Sequence, residues 1–327
     1  MLLGLAIGDA LGITSEGKLP AHRHEMYGEI RDYLPNKYNG QQLGYPSDDS
    51  QLAFWTLERM LLDGGFVPDR VAHHLVNRGK IFGIGSTVKG FIKNYKKQEK
   101  RWYLSGPKSA GNGALMRIAP LLLPQLHQPS PALWADTALA AMLTHNDSGS
   151  TSACLSFINI LWQVLAMSEP PSPNWWLDTY VETARHLEKA ELYQPRGGLF
   201  ADEYTGPLWQ FVSEKVGDAY RQGLTVLDAC EQWQSGAFLL ETMPCVIYIL
   251  MRHGDDPEEA IVRAVNDTKD NDSVAAIVGT AVGALHGKKV LPARWRDNLV
   301  GRTTDSDDGH LFELIEQVRQ QWCPHCG

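Results

Sequence analysis

Residues 270–287 read DNDSVAAIVGTAVGALHG, an apolar run that follows two aspartates and carries glycine at every fourth position. Residues 4–12 repeat this glycine spacing near the start of the chain. The glycines concerned are Gly4, Gly8, Gly12, Gly279, Gly283 and Gly287. Glycine at this spacing lines one helix face and lets another backbone come close, which must offset roughly 1 kcal/mol of helix propensity per glycine. Both segments are therefore predicted to be central helices.

Helical periodicity continues outward from these two segments. Apolar side chains recur at helical spacing in residues 52–61, 71–75 and 314–318. Alternating strand patterns flanked by tight turns are scarce. The proline-rich residues 169–174 interrupt the helical pattern without a shift in composition, so they are interpreted as a loop inside one domain. The sequence predicts an all-α fold, a single domain over residues 1–327 and a flexible tail at 320–327.

The charge balance limits the classes of partner. The chain has 327 residues, with 30 lysines and arginines against 38 aspartates and glutamates, which gives a net charge of −8. Nucleic-acid backbones are bound by clustered cations, so this balance argues against nucleic acid. The one locally basic stretch, residues 93–101, is interpreted as a solvated helix face. The composition does not indicate an oligomeric state.

Membrane insertion and export are not favoured either. The longest apolar run, residues 274–285, is too short to cross a bilayer. Asp9 interrupts the apolar start of the chain, and no cationic region precedes it, which argues against a signal peptide. We therefore expect a cytoplasmic protein with no membrane partner.

Five scattered cysteines predict no disulfide framework, which fits a reducing compartment. Cys323 and Cys326 have the spacing of a redox pair or of half a zinc site. Only Gly327 follows them, so no helix start is present to stabilise a thiolate, and no second pair completes a zinc site. A functional role for this pair is not favoured.

Two short acidic segments stand at the starts of predicted helices, SDDS at residues 47–50 and DNDS at residues 270–273. One interpretation is helix capping, since serine and aspartate accept hydrogen bonds from the first free amides. A single aspartate suffices for capping, however, and neighbouring carboxylates repel each other unless a cation lies between them. Oxygen ligands without paired histidine or cysteine favour magnesium, manganese or calcium over zinc. From the residues alone, capping and metal binding both remain open.

Three further segments carry polar or glycine-rich turns. Residues 8–16, GDALGITSE, place Glu16 in a polar turn after a glycine-rich helix. Residues 83–87, GIGST, present glycines and hydroxyls before a helix, an arrangement that lets backbone amides approach phosphate oxygens. Residues 111–117, GNGALMR, form a loop that enters an apolar stretch. Each segment alone is a weak signal and is also explained by an ordinary turn.

The order of these segments resembles that of the ADP-ribosylglycohydrolase family. The resemblance covers Gly4 to about Gly287 and includes Thr144-His145 between the GNGALMR and DNDS segments. It implies a compact, orthogonal, all-α helical bundle that hydrolyses the bond between C1″ of ADP-ribose and an acceptor. It also implies two Mg²⁺ ions, with Mn²⁺ as a substitute. The implied substrate is an ADP-ribosylated protein or small molecule.

The resemblance assigns roles to individual residues. The implied metal ligands are Ser47, Asp48, Asp49, Asp270, Asp272 and Ser273. The implied substrate-binding residues are Gly83, Gly85, Ser86, Gly111, Asn112, Gly113, Ala114, Met116 and His145. Glu16 and Asp49 are the implied catalytic residues, with proton transfer by one of them. Hydrolysis at an anomeric carbon passes through an oxocarbenium-like state, which agrees with these residue types.

This sequence departs from the family pattern at two places. Ser47 and Ser273 stand where the family usually has threonine, so the hydroxyl is kept but rotates more freely. Thr268-Lys269 stands where the family commonly has two glycines. Lys269 either weakens metal binding by repulsion or contacts a substrate phosphate.

The matched motifs do not determine the acceptor. Arginine is favoured because it is frequent in the family, and serine-linked or O-acetyl ADP-ribose is the alternative. A binuclear nucleotide phosphoesterase would use the same carboxylates with attack at phosphorus. A non-catalytic ADP-ribose-binding relative is a third class, since a fold does not guarantee its chemistry.

Overall fold

The computed structural model describes residues 1–36, 40–126 and 130–323. These residues form fifteen α-helices joined by loops and by short 3₁₀ and π turns. The helices are α1 (Leu2–Gly12), α2 (Pro20–Tyr27), α3 (Asp48–Asp63), α4 (Pro68–Asn77), α5 (Ser86–Ile92), α6 (Pro131–Thr144), α7 (Ser148–Val164), α8 (Pro173–Leu187), α9 (Leu208–Gln222), α10 (Val226–Gln232), α11 (Leu239–His253), α12 (Pro257–Asp267), α13 (Asn271–His286), α14 (Ala293–Asp297) and α15 (His310–Trp322). Within the described ranges, extended backbone pairs only at isolated bridges, such as Gly111 with Phe238. The predicted all-α fold is confirmed.

Helices α1 and α13 pack along their glycine stripes. A Cβ atom at Gly4 would lie 2.0 Å from the carbonyl oxygen of Gly279. At Gly12 it would lie 2.4 Å from the Cα atom of Asp272. These distances leave no room for a side chain, so the two backbones touch. The pair therefore places the end of α1 directly beside the start of α13.

Other helices surround this central pair. Helices α11 and α12 pack on α13, and α3 lies against α1. Four tryptophans are fully buried among them: Trp55, Trp176, Trp233 and Trp295. Every residue of α3 from Asp48 to Leu57 is buried. The two acids at the start of α3 therefore lie inside the fold.

The basic residues 93–101 do not form a single helix face, contrary to the interpretation from sequence. Helix α5 passes into a π-helical turn at Lys93–Lys97, and its lysines are exposed. Glu99 then takes a left-handed backbone conformation with φ 52°, which prevents the helix from continuing.

Two expectations concern the end of the chain and the membrane. Cys154, Cys230 and Cys245 are buried and form no disulfide, whereas Cys326 lies outside the described residues. Helix α15 extends to Trp322, and residues 324–327 also lie outside, so the flexible tail stays a prediction.

Across the part of the chain that the structure describes, no helix combines the length and apolar character that a bilayer crossing requires.

Candidate metal and substrate site

The carboxylate of Asp9 lies buried at the junction of α1 and α3. It accepts hydrogen bonds from the hydroxyl of Ser47 at 2.7 Å and from that of Ser50 at 2.6 Å. The backbone N–H groups of the same serines donate to it at 2.9 to 3.0 Å. A buried carboxylate is tolerated only where donors of this kind satisfy it. Asp9 therefore fixes the SDDS segment, a role that no sequence motif assigned to it.

Neither acidic segment caps its helix through a side chain. Ser47 is the N-cap residue of α3, but its hydroxyl turns towards Asp9 instead. Asp270 is the N-cap residue of α13, and its carboxylate accepts a hydrogen bond from the side-chain amide of Asn112 at 2.6 Å. The amide of Asn112 also donates to Thr242 Oγ1 at 3.0 Å. The capping interpretation is therefore wrong for both segments.

The carboxylates of the two segments converge with those of Asp9 and Glu16. One oxygen from each of Asp9, Asp49 and Asp272 lies within 4.8 Å of the others. The same holds for one oxygen from each of Glu16, Asp270 and Asp272. Since Asp272 belongs to both groups, the two groups adjoin. Segments that are far apart in sequence thus form one acidic cluster.

Burial and mutual repulsion oppose ionisation of these acids. Burial, followed by the charge of Asp9, raises the pKa of Asp48 to about 7. Burial also raises the pKa of Asp49 and of Asp272 well above the ordinary value, and the neighbouring carboxylates add to the effect. A cluster of this kind is stabilised when cations enter it.

Two oxygens of the cluster are buried and have no hydrogen-bond partner. They are Oδ1 of Asp49 and Oδ1 of Asp272, in residues that are 1% and 3% exposed. Leaving a carboxylate oxygen unsatisfied inside a protein costs roughly 1–3 kcal/mol or more. Both oxygens belong to a ligand set of carboxylates and hydroxyls, which is the set that magnesium and manganese prefer. The residues present therefore fit hard divalent cations.

Glu16 lies at the edge of the cluster, in the loop after α1. Asn271 donates to the last carbonyl oxygen of α1 at 3.1 Å. The buried guanidinium of Arg23 donates to the carbonyl oxygen of Lys18 at 2.9 Å and to that of Thr268 at 2.7 Å. These contacts attach the loop that carries Glu16 to the residues just before α13.

A cavity of about 190 Å³ opens over the acidic cluster. Thirteen of the predicted site residues line it: Glu16, Asp48, Gly83, Gly85, Ser86, Gly111, Asn112, Gly113, Met116, His145, Asp270, Asp272 and Ser273. Asp49 and Ala114 are buried outside this lining, and Ser47 faces a neighbouring cleft. The fold thus gathers the predicted residues around one cavity.

His145 presents its ring to the two glycines of the GNGALMR segment. A Cβ atom at Gly113 would lie 2.7 Å from Cε1 of His145, and one at Gly111 would lie 3.3 Å from Nε2. On the other side of the ring, Arg117 donates to Thr144 Oγ1 at 2.8 Å, and that hydroxyl contacts Nδ1 of His145 at 2.9 Å.

The surroundings of His145 keep its imidazole neutral. The Thr144 hydroxyl, which accepts from Arg117, forms a second hydrogen bond with Nδ1 of the ring. Burial, helped by the charge of Arg117, lowers the pKa of His145 to about 3. The ring is therefore neutral at pH 7, and it lines the cavity.

Two features of the site did not follow from the sequence. Arg196 lines the cavity, although none of the motifs described for the sequence includes it. Lys269, which adjoins Asp270 in sequence, is not part of the described lining. Its backbone N–H donates to Ser235 Oγ at 3.0 Å. For Asp9, the available signal was a charged residue inside an otherwise apolar helix, which must be paired when it is buried.

The fold and the site together define a class: an all-helical protein with a candidate divalent-cation centre at the base of a glycine-walled cavity. Within this class, the sequence model described as ADP-ribosylglycohydrolase matches residues 1–325. The chain therefore belongs to the ADP-ribosylglycohydrolase family.

Similar proteins cover nearly the whole chain. ADP-ribosylarginine hydrolase Tri1 of Serratia proteamaculans is 28% identical over 312 residues, which cover 91% of this chain and 74% of that protein. ADP-ribosyl-[dinitrogen reductase] glycohydrolase of Rhodospirillum rubrum is 24% identical over 302 residues, covering 91% and 88%. A solved structure described as an ADP-ribosylglycohydrolase-related protein complex aligns with a TM-score of 0.71 and 23% identity over 98% of this chain and 95% of its own. This structure supports the fold.

Proposed function

We propose that this protein is a magnesium-dependent ADP-ribosylhydrolase that cleaves the C1″ bond between ADP-ribose and arginine of a modified protein. The observation that carries the proposal is the pair of unpaired, buried oxygens on Asp49 and Asp272, which lie in an acidic cluster that borders a glycine-walled cavity. Membership of the family supports the ADP-ribosyl substrate.

The two acidic segments would hold a pair of magnesium ions, or manganese in their place. Ser47, Asp48 and Asp49 would provide ligands on one side, and Asp270, Asp272 and Ser273 on the other. When bound, such ions supply Lewis-acid polarisation and lower the pKa of a bound water. Asp9 and Asn112 hold the two segments in position by hydrogen bonds to Ser47 and Asp270.

Proton transfer is assigned to Glu16 in this proposal. Of the two acids expected to be catalytic, Glu16 lines the cavity, whereas Asp49 is buried outside its lining. In the reaction, the oxygen of water bonds to C1″ and the bond from C1″ to the acceptor breaks. Glu16 would remove a proton from the water and return one to the departing acceptor. Asp49 is left to bind the cation.

The neutral His145 would complete the cavity as a polar, uncharged side chain. Its ring packs against Gly111 and Gly113, where a Cβ atom would lie within 3.3 Å of it. The glycines of segments 83–86 and 111–113 let backbone amides approach phosphate or ribose oxygens closely. These donors would orient the ADP-ribosyl group with its anomeric carbon at the acidic cluster.

One observation favours serine-linked ADP-ribose as a second candidate substrate. The neighbouring cleft, which shares Glu16 and Gly83 with the cavity, is lined by Lys80 and Arg302. Arg302 lies 4.0 Å from Asp305 in the same lining, so Lys80 is the cation that would repel a departing guanidinium more than a departing hydroxyl. The test therefore needs both acceptors.

The test measures release of free ADP-ribose from matched peptides modified on arginine and on serine. We expect release with Mg²⁺, loss of release after chelation, and loss in Asp272→Ala. Asp69→Ala is the matched control, because Asp69 also stands in the first turn of a helix but is exposed. Equal release after chelation would contradict the metal-assisted reaction. Formation of AMP and ribose phosphate instead would identify a phosphoesterase.

A further inference from the structure

The reaction cavity adjoins two larger clefts, each of which shares a different pair of residues with it. One, of about 580 Å³, shares Glu16 and Gly83 with the cavity. The other, of about 590 Å³, shares Ser109 and Arg196 with it. A two-ended substrate can therefore extend from the cavity into both clefts.

The contacts at each side indicate which end of the substrate goes where. Glu16, to which proton transfer is assigned, lines both the cavity and the first cleft, so the bond to the acceptor belongs on that side. Ser109 immediately precedes the GNGALMR loop, and its hydroxyl contacts Thr87 Oγ1 at 3.1 Å. Both glycine-rich segments therefore meet near the second cleft, and the diphosphate would point to that side.

Arg196 stands at this second opening in a fixed position. The carbon of its guanidinium lies 4.2 Å from the ring centroid of Phe238, which holds the group in a stacked arrangement. Its backbone N–H donates to the buried carboxylate of Glu241. Gly198 then turns the chain with φ +75°, and Leu199 N–H donates to the carbonyl oxygen of Gln232 at 2.8 Å. The side chain is exposed, but the loop that carries it is anchored.

The charges around the cavity indicate which part of a ligand Arg196 would bind. Glu16, Asp48, Asp270 and Asp272 all line the cavity, and Arg196 is the one lysine or arginine in its described lining. A diphosphate diester carries two negative charges and would be repelled by these acids. A planar guanidinium binds phosphate oxygens through paired hydrogen bonds, which a lysine does not reproduce.

We propose that Arg196 binds the diphosphate of the ADP-ribosyl group and is a specificity-determining residue for phosphorylated over unphosphorylated ligands. This inference rests on the proposed function, because it takes ADP-ribose as the ligand. It assigns Arg196 to substrate binding rather than to the chemical step.

The test measures binding of ADP-ribose and of adenosine by calorimetry with Mg²⁺ in excess. Arg196→Ala should weaken ADP-ribose binding by about 10- to 100-fold, and Arg196→Lys should be intermediate. Adenosine, which lacks phosphates, should bind both variants as it binds the wild type. In hydrolysis assays KM should rise while kcat stays within about threefold. Arg221→Ala is the control for loss of a charge, because Arg221 is exposed and paired with Asp218 on α9.

The outcomes separate this inference from the proposed function. Unchanged ADP-ribose binding in Arg196→Ala, or an equal loss for adenosine, would overturn the role of Arg196 even if hydrolysis is confirmed. If the wild type binds ADP-ribose but releases none from modified peptides, the hydrolase proposal fails, and weaker binding by Arg196→Ala still supports the diphosphate contact. Absence of ADP-ribose binding by the wild type would overturn both.

Discussion

The SDDS segment at residues 47–50 and the DNDS segment at residues 270–273 are similar in sequence but are held in different ways. Both serine hydroxyls of the first segment donate to a third buried acid, Asp9. The second segment is held by neutral amides, because Asn112 donates to Asp270 and Asn271 donates to the end of α1. The first half is thus fixed through a third, buried carboxylate, whereas the third carboxylate beside the second half, Glu16, is exposed.

This difference has an energetic consequence. The first half concentrates the carboxylates of Asp9, Asp48 and Asp49 next to one another, and Asp9 is a leading charge that raises the pKa of Asp48 and Asp49. In the second half, Asp270 and Asp272 lie beside the exposed Glu16, and the amide of Asn112 favours the charged form of Asp270. The stability of the first half should therefore depend more strongly on bound cations. The stability of the second half should depend more on its own hydrogen bonds.

The largest effect is expected from removing one ligand charge in each half. Asp49→Asn and Asp272→Asn should each reduce hydrolysis by about a thousandfold, since cations contribute several kcal/mol to such reactions. Without metal, both variants should be more stable than the wild type by roughly 1–3 kcal/mol, because a buried repelling charge is lost. The gain should be larger for Asp49→Asn. Thermal unfolding with chelator and with Mg²⁺ measures both effects, and a larger gain for Asp272→Asn would reverse the comparison.

An intermediate effect is expected from the residues that hold each segment. Asp9→Ala removes the shared acceptor of four buried donors, the N–H and hydroxyl groups of Ser47 and Ser50, and should lower the free energy of unfolding by about 3–5 kcal/mol. Asn112→Ala removes a neutral donor and should lower it by about 1–2 kcal/mol. Urea unfolding of the metal-free proteins measures both values. Asp9→Asn keeps the shape of the side chain but not its charge, so its loss of unfolding free energy should lie between those of the two alanine variants. Equal losses for Asp9→Ala and Asn112→Ala would contradict the proposed difference between the two segments.

The smallest effect on metal-free stability is expected from replacing Ser47 or Ser273 by alanine. Ser47→Ala removes a 2.7 Å hydrogen bond to the charged Asp9 and should cost about 1–2 kcal/mol of metal-free stability. The Ser273 hydroxyl donates to the carboxylate of Asp270 at the same helix start and contacts the sulfur of Met116 at 3.9 Å, so Ser273→Ala should cost about 1 kcal/mol. Both should weaken the stabilisation by Mg²⁺. If Ser273→Ala leaves that stabilisation unchanged, Ser273 is not a ligand.

The packing of α1 on α13 could be predicted because it depends on the spacing of glycines within two short segments. Glycine at every fourth residue in two helices requires close contact, and Gly4 against Gly279 shows that contact. The acidic segments could be located for a similar reason, since doubled aspartates at helix starts are visible in any one stretch of sequence. That both segments border one cavity followed from the family resemblance rather than from the residues.

The supporting residues could not be predicted, because their roles depend on contacts across the fold. Asp9 meets Ser47 and Ser50 only once α1 and α3 are packed. Arg196 belongs to a loop without periodicity, and only the position of Phe238 shows where its guanidinium lies. Lys269 is not part of the cavity lining that the structure describes, but its charge favours the ionised form of Asp270, so the two roles considered for it stay predictions.

The contact of Gly12 with Asp272 also determines when the site can form during synthesis of the chain. A ribosome adds roughly 5–20 residues per second, so residues 270–273 follow residues 47–50 by about ten seconds or more. During this interval α1 lacks the backbone surface that its glycines require, and Asp9, Asp48 and Asp49 have no second half with which to share cations. The centre therefore forms late in biosynthesis and as a whole, and a chain interrupted before residue 270 is not expected to carry a partly working version of it.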